Sequence, residues 1–419
     1  MNFADSRQVT EELERIGYLE VDRPQHADLI LLNTCVVRQS AEDKVVGRLT
    51  SLLGLKRRRP ELQLALMGCF VHEIPELAQR YPWVDAFIKP SDIPAVVEFA
   101  KQHMVPVEPH TADLEIPRRE SPVSAGVPIS QGCDHQCTYC IVRLRRGPEV
   151  SRPTHEIVSE VRNLVARGVM EVTLLGQNVD SYGRDLPPAC GGEVPDLASL
   201  LVLLHEVKGL QRIRFLTSHP ADMSNRLIET VARLPKVCEH MEVPVQSGDD
   251  TVLRRMSRGY TVAQYRTLVA RIREAMPGVG LATDVIVGFP GETHEQFEAT
   301  FRLLEDLRFD IVHVAAYSSR SGTPAERLPD DVPPAEKAKR RQAVDRLQER
   351  IAGEINAKLA GQTVEVLVEG RHKGKWRGRT RTNKLVFFEV DSRDWTGRLA
   401  QVRITRTGPW SMQAEVAGE

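Results

Sequence analysis

Apolar residues recur along this chain in two alternating rhythms. From Val9 to Ile16 and from Ala41 to Leu53 they fall three and four residues apart, which predicts helices. Leu29–Thr34 and Leu62–Met67 are short, continuous apolar runs that end in turns, which predicts buried parallel strands. Residues 1–105 therefore read as a small α/β unit. Cys35 and Cys69 fall just past its strand ends, at the edge where open α/β sheets bind ligands. Residues 106–126 are rich in Pro, Glu and Arg without any period, and read as a linker. From Val127 the alternation becomes regular. Strands are predicted at Val127–Ser130, Glu171–Leu175, Arg212–Leu216, Met241–Val245, Leu281–Val287 and Ile311–Tyr317, with amphipathic helices such as Thr154–Arg167 and Val262–Met276 between them. Six strand–helix steps predict a parallel barrel or part of one. Polar clusters (Gly176-Gln177-Asn178, Thr217-Ser218-His219, Gln246-Ser247-Gly248, Gly288-Phe289-Pro290-Gly291-Glu292) follow its strands, on the face where such barrels place their chemistry. A charged helix over 333–358 closes the region 127–358. Over 359–419 the pattern changes to short β-rich runs, a small separate β-barrel.

Composition narrows the class without deciding it. Hydrophobic residues make up 41% and charged residues 27% of 419 residues, enough for ordinary cores. The formal net charge of -1 leaves any nucleic-acid surface to a local patch. No apolar run is long enough to span a bilayer. The start lacks the basic and apolar stretches of an export signal. Seven cysteines, an odd number, fit a reducing cytoplasm better than a disulfide framework.

The strongest chemical signal is Gly132-Cys133-Asp134-His135-Gln136-Cys137-Thr138-Tyr139-Cys140, directly after the first barrel strand. Three thiolates on one short loop can hold three irons of a [4Fe–4S] cluster. The fourth iron is then open to the amino and carboxylate groups of S-adenosylmethionine (SAM). The competing reading is a structural zinc site with His135 or a distant Cys as fourth ligand. Zinc motifs usually come as paired units, and only one cluster of cysteines is present here.

With this loop, Asn33-Thr34-Cys35-Val36-Val37-Arg38, Gly68-Cys69 and the C-terminal β-rich tail, the whole chain resembles the radical SAM methylthiotransferases. The resemblance implies an N-terminal Rossmann-like α/β domain, a central partial (β/α)6 TIM-type radical SAM barrel and a C-terminal TRAM β-barrel. It implies two [4Fe–4S] clusters: one on Cys133, Cys137 and Cys140, the other, auxiliary, on Cys35, Cys69 and a third cysteine. The family motif for that third ligand runs Gly-Cys-Gln-Met-Asn-x-x-Asp-Ser, and this chain begins with its tail, Met1-Asn2-Phe3-Ala4-Asp5-Ser6. The cysteine and a first strand are thus expected upstream of Met1, and a chain without them leaves the auxiliary cluster one ligand short. A second departure is Arg143-Leu144, where the family usually carries Pro-Tyr.

By the same resemblance Gln177 and Asn178 lie close to the amino group of SAM, and Glu242, Gln246 and Asp284 contact SAM or substrate. The alternative for such residues is turn chemistry and helix capping, with Ser218 or Ser247 at helix N-termini. His219 reads either as a general base or as polar surface. Thr217-Ser218-His219-Pro220 and Arg38 are similar to members acting on isopentenyl-type adenosine in tRNA. The implied reaction uses two equivalents of SAM. One donates its methyl group to a sulfur at the auxiliary cluster. The other yields a radical that removes the C2 hydrogen of prenylated adenosine 37, and the carbon radical takes the methylthio unit. Other members act on threonylcarbamoyl-adenosine or a ribosomal-protein aspartate; a metal-bearing RNA-binding protein without catalysis is a reading of another class. A reductase or flavodoxin-type electron donor, a monomeric state and a cytoplasmic location complete the expectation. Cys190 and Cys238 match no ligand position.

Residues 361–419 carry 11 Lys/Arg against 7 Asp/Glu, concentrated in Arg371-His372-Lys373-Gly374-Lys375-Trp376-Arg377-Gly378-Arg379-Thr380-Arg381. Cations pair with phosphates and an aromatic stacks on an unpaired base. Arg371, Lys373, Lys375, Trp376, Arg377, Arg379 and Arg381 are therefore the expected RNA contacts.

Overall fold

The structure is a computed structural model that describes residues 1–36, 39–104, 123–188, 192, 194–389 and 393–417. Its chain divides into two compact units, 1–120 with 141–147, and 121–140 with 148–419. The first unit holds a parallel sheet in the order β1 (Leu29–Thr34), β2 (Gln63–Gly68), β3 (Ala86–Ile88). Alternate residues of β2 point to opposite faces. Leu64 and Leu66 pack with Leu49 and Leu52 of the helix Gln39–Arg58. Ala65 and Met67 pack with Val9 and Val96, on the helices Asn2–Arg15 and Ile93–Gln102. Both faces of the sheet are thus covered, which is why its central strand reads as continuously apolar. The segment Ile141–Gly147, sequence-adjacent to the cysteine loop and expected inside the barrel region, groups with this first unit. Most of the expected linker, and with it Arg38 and Cys190, lies outside the described residues.

The second unit contains the barrel. A short antiparallel pair, β5 (Ser130–Gln131) with β6 (Val150–Ser151), brackets the cysteine loop that leaves β4 (Ser124–Pro128). The parallel strands β4, β7 (Glu171–Leu175) and β8 (Arg212–Phe215) form one sheet; β9 (His240–Glu242), β10 (Gly280–Val287) and β11 (Ile311–Ala316) form a second. A bridge between Ile213 and Val237 joins them in sequence order. The expected six-stranded partial barrel is present. Its core of Val127, Val172, Leu174, Ile213, Val243, Leu281 and Val285 is fully buried under helices. The helix Pro334–Ala357 closes the far side. Arg340 pairs there with buried Glu292 at 2.8 Å, so Gly288–Glu292 is latched to this helix.

The C-terminal strands β12 (Thr363–His372), β13 (Lys375–Thr380), β14 (Leu385–Glu389), β15 (Leu399–Thr407) and β16 (Met412–Val416) close into a barrel. A side chain on Gly378 would meet the carbonyl oxygen of Leu367 at 2.2 Å, so only glycine lets β13 approach β12. This small barrel is bolted to the N-terminal ends of the larger barrel's strands. Arg212, 1% exposed, donates to the carbonyl of Arg379 at 2.8 Å and to Glu365 at 2.7 Å. Arg214 pairs with Glu171 at 2.9 Å and donates to the carbonyls of Thr380 and Arg381. No helix among the described residues is long and apolar enough to cross a membrane.

Candidate active site

The cysteine loop starts at Gly132, whose φ of 81° turns the chain out of β5. The Gly132 N–H donates to Gln177 Oε1 at 2.6 Å, and Thr138 is tied through its N–H and its hydroxyl to the carbonyls of Met256 and Arg255. The Cys140 N–H donates to the Cys137 carbonyl at 3.1 Å. Cys137 is buried; Cys133 and Cys140 are partly exposed. Burial, reinforced by the neighbouring sulfurs of Cys140 and Cys137, pushes the Cys133 thiol up to about 11. The His135 backbone N–H opposes this only in part. Ionising a thiol so placed calls for a cationic partner, which is what a metal-ligating thiolate requires.

Arg258, buried, donates to Cys137 Sγ at 3.3 Å and to the Pro244 carbonyl at 3.1 Å, and lies within 3.4 Å of the Tyr139 hydroxyl. Sequence reasoning missed it, because nothing in Ser257-Arg258-Gly259-Tyr260 marks a residue that folds back onto a loop far upstream.

A polar network borders the loop. Asp222 accepts from Asn178 Nδ2 at 2.6 Å and from Arg184 at 2.8 Å, and lies 2.5 Å from His135 Nε2. Hydrogen bonds from His135, Arg184 and Asn178 overcome burial and hold its carboxyl well below the usual range. The His135 ring stacks on His219 at 3.6 Å between centroids. His135, Asp222 and His219 thus form a cluster whose ligand-type atoms lie within 4.8 Å of one another. His219 is buried and held neutral by burial and by Arg258. Its Nδ1 accepts from the Ala221 N–H at 3.3 Å, which leaves Nε2 as the protonated nitrogen. Ser218 donates to Asp180, and Ser224, not Ser218, caps the helix that follows. Burial pushes the Asp180 carboxyl up to about 7. Thr217, β-branched yet at φ 74°, makes this turn a strained one.

Buried polar atoms without protein partners collect here: Ser130 Oγ, Asn178 Oδ1, Glu149 Oε1 and His219 Nε2. Buried polar groups are normally satisfied, so four orphans around one loop mark a place for a polar ligand. Two of these residues, Glu149 and Asn178, line a cavity of about 160 Å3 together with Asp134, His135 and Arg184. Of the residues expected to contact SAM, Asn178 belongs to this group, whereas Gln177 spends its oxygen bracing Gly132. Glu242 and Asp284 come together on neighbouring strands, β9 and β10. Burial first, and then the Asp284 charge, push Glu242 up to about 7. Gln246 sits at φ 68°, its backbone bonded to Asp284 and Ile286 of β10.

In the first unit Thr34 and Gly68 pair across β1 and β2, which brings Cys35 and Cys69 side by side at the strand ends. The Cys69 N–H donates to the Thr34 carbonyl at 3.1 Å, and any side chain on Gly68 would strike that oxygen. Burial pushes the Cys69 thiol up, while Arg146, hydrogen-bonded to it, pulls it back. Arg146 also pairs with Asp5 at 3.6 Å and donates to Ser91. Of the two residues that replace the family's Pro-Tyr, Leu144 is exposed.

The basic run departs from expectation. Trp376 is 5% exposed, inside the small barrel with Val366, Val386 and Phe388. It cannot stack on a base, because β13 alternates and the even-numbered positions face inward. Arg371 lies over its ring at 4.4 Å from the centroid. Arg381 pairs with Glu239 at 2.8 Å and donates to the Val237 carbonyl, so it ties barrel to barrel. Arg379 pairs with Glu369 at 3.3 Å and Lys375 with Glu389 at 2.8 Å. Arg377 and Lys373 remain exposed. Cys238, which matched no ligand position, is buried beside Arg214, in the contact between the two barrels.

Comparison with known proteins agrees with this layout. Residues 127–304 match the Radical SAM superfamily, residues 1–89 the Uncharacterized protein family UPF0004, and residues 357–417 the TRAM domain. The chain is 52% identical to the tRNA-2-methylthio-N(6)-dimethylallyladenosine synthase of Roseiflexus sp. (strain RS-1), over 100% of this chain and 87% of that protein. It is 48% identical to the synthase of the same name from Herpetosiphon aurantiacus, over 100% and 95%. Among solved structures, a radical S-adenosylmethionine methyltransferase from Kitasatospora setae, with tryptophan substrate and a SAM analogue bound, shares the fold: TM-score 0.50, 13% identity, 74% of this chain and 64% of that one.

Proposed function

The chain belongs to the tRNA-2-methylthio-N(6)-dimethylallyladenosine synthase family, and we propose that it is a radical SAM transferase placing a methylthio group on C2 of N6-dimethylallyladenosine at position 37 of tRNA. Its cofactors are SAM and [4Fe–4S] clusters. Cys133, Cys137 and Cys140 hold the cluster that serves SAM; Cys35 and Cys69 supply ligands to the auxiliary one. A cluster held there would supply one-electron chemistry toward SAM, the kind needed for a C–H bond that no acid or base in the site could ionise.

What this chain's residues contribute is position and shelter. Gln177 fixes the turn at Gly132, Thr138 anchors the loop's middle, and Arg258 places a positive charge against Cys137. Asn178 Oδ1, Ser130 Oγ and the His219 Nε2–H offer one donor and two acceptor-capable groups to SAM and the target base. Glu242, its carboxyl raised to about 7 by burial and then by the Asp284 charge, stands with Asp284 as a polar pair for a ligand. His219 acts as a neutral donor and not as a general base, since burial and Arg258 oppose its protonation.

The observation that carries this reading is three free cysteines on one braced loop, with four orphaned polar atoms around it. The same reading takes 1–105, 127–358 and 359–419 as three domains, a reductase or flavodoxin as electron source, a monomer as the working state and the cytoplasm as its place. Anaerobic reconstitution followed by reduction tests it. The expected result is 5′-deoxyadenosine from SAM and a methylthio nucleoside in tRNA digests. Zinc in the loop, with SAM intact, contradicts it.

A further inference from the structure

We infer that Arg258 sets the reduction potential of the cluster that Cys133, Cys137 and Cys140 would hold, raising it through a charged hydrogen bond to the Cys137 sulfur. The inference rests on the radical SAM reading above. It concerns how readily that site takes an electron, and not which nucleoside it serves.

The carrying observation is a buried cation with no carboxylate beside it. Arg258 is 5% exposed. Its Nη1 donates to Cys137 Sγ at 3.3 Å and lies 3.4 Å from the Tyr139 hydroxyl. Its Nε donates to the Tyr260 hydroxyl at 3.0 Å and its Nη2 to the Pro244 carbonyl at 3.1 Å. Among the described residues no carboxylate pairs with it. A guanidinium stays protonated, and a buried charge needs a partner of opposite sign. The atom in reach that can become an anion and bind a metal is the Cys137 sulfur. Arg258 thus has its counter-ion only when that sulfur is a thiolate.

The chain is bent to deliver this one side chain. Ser257 at φ 55° and Gly259 at φ 73° place left-handed residues on both sides of Arg258, and a serine adopts that conformation rarely. Tyr260 supports the guanidinium from below, with its ring centre 5.4 Å away and its hydroxyl on the carbonyls of Pro244 and Val245. The preceding residues hold the same loop without charge. The carbonyls of Arg255 and Met256 accept from the Thr138 hydroxyl and N–H at 2.8 and 3.1 Å. Mechanical bracing at Thr138 and the charge at Cys137 are therefore separate contacts of one segment, and each can be removed alone.

Reduction adds one electron to a centre that three thiolates already make anionic. A fixed cation against a ligand sulfur favours the more negative state, and so does an N–H donated to that sulfur. Burial of both groups keeps water and salt from screening the effect. The electron comes from the donor that the reaction already requires, and no bond forms or breaks in this step.

The test is a redox titration followed by electron paramagnetic resonance. It uses the full chain reconstituted without oxygen, in a Cys35→Ala, Cys69→Ala background in which only the loop cluster reports. Arg258→Gln removes the charge and shifts the equilibrium against the reduced state by about tenfold, ~59 mV lower for one electron. Arg258→Met, which lacks a donor as well, shifts it at least as far. Arg258→Lys keeps the charge and falls between the parent and Arg258→Gln. Thr138→Val removes a brace and titrates as the parent does. Iron content and melting temperature are read on the same samples. A parental potential in whichever uncharged variant holds its iron overturns the proposal, and so does an equal shift in Thr138→Val. Loss of iron from both uncharged variants, with Arg258→Lys still loaded, makes Arg258 a structural residue and overturns it too. A parent that titrates while its variants do not move removes the role of Arg258 and leaves the radical SAM reading standing. A parent that loads no cluster in the loop removes both.

Discussion

The loop from Cys133 to Cys140 and the run from Arg371 to Arg381 are both short and both dense in chemically marked side chains. In the loop those side chains stay on one site: the Cys137 and Cys140 sulfurs act on the Cys133 thiol, and Arg258, Gln177 and the carbonyls of Arg255 and Met256 brace the loop from other elements. In the run they diverge. Strand alternation sends Trp376 into the core, and Arg381 turns to Glu239 on the larger barrel. A loop of mixed conformation can aim successive residues at one point, whereas a strand has to distribute its residues between two faces. Density of functional residue types therefore identifies a site in a loop more safely than in a strand.

Substitutions sharpen this contrast. The largest effect is expected for Cys137→Ala, which should reduce 5′-deoxyadenosine formation to background while circular dichroism stays native. Turnover persisting in that variant would break the claim that they share one site. On the side of the run, Trp376→Ala should cost about 3–5 kcal/mol of stability by opening a core cavity. Chemical denaturation measures it, and a stable variant with weakened RNA binding would restore Trp376 as a contact. Arg214→Ala should cost a similar ~3–5 kcal/mol, because it leaves Glu171 unpaired in the core and two carbonyls of the small barrel without a donor. Protease resistance of that barrel should fall with it.

A smaller effect concerns the rim of the site. Asp180 has its carboxyl pushed up to about 7 by burial. Its folded-state proton affinity exceeds that of the unfolded chain, so its contribution is fully present at low pH. It fades as pH rises from the ordinary carboxyl range through about 7. Asp180→Asn should therefore gain stability over the parent between pH 5 and pH 8 and match it near pH 4, which melting curves across that range would show. A difference independent of pH would mean that Asp180 is ionised throughout. The smallest effect is expected for Lys375→Gln, whose exposed pair with Glu389 should leave stability and activity unchanged.

How far the molecule was legible depended on range along the chain. The three parallel sheets follow from apolar runs and their spacing, except for the short β3 (Ala86–Ile88), because a strand buried on both faces leaves a continuous apolar signature, as Leu64–Met67 does. The cysteine loop was legible because its three cysteines lie within eight residues. Cys35 and Cys69 were legible through strand ends, and the pairing of Thr34 with Gly68 explains why they meet. Arg258, Asp222 and Asp180 were not, since each reaches its partners across tens of residues of chain and none sits in a local pattern. The inward turn of Trp376 was available in principle. Between Lys375 and Arg379 the residues alternate outward cation and inward Trp or Gly, and that period of two outweighs the charge of the run.

The most direct examination is nucleoside mass spectrometry on prenylated tRNA incubated, without oxygen, with the iron-loaded chain, SAM, a reductant and sulfide. The account predicts that N6-dimethylallyladenosine is replaced by its 2-methylthio derivative, and that Cys137→Ala leaves it untouched. Prenylated adenosine that survives while the same preparation consumes SAM would contradict it.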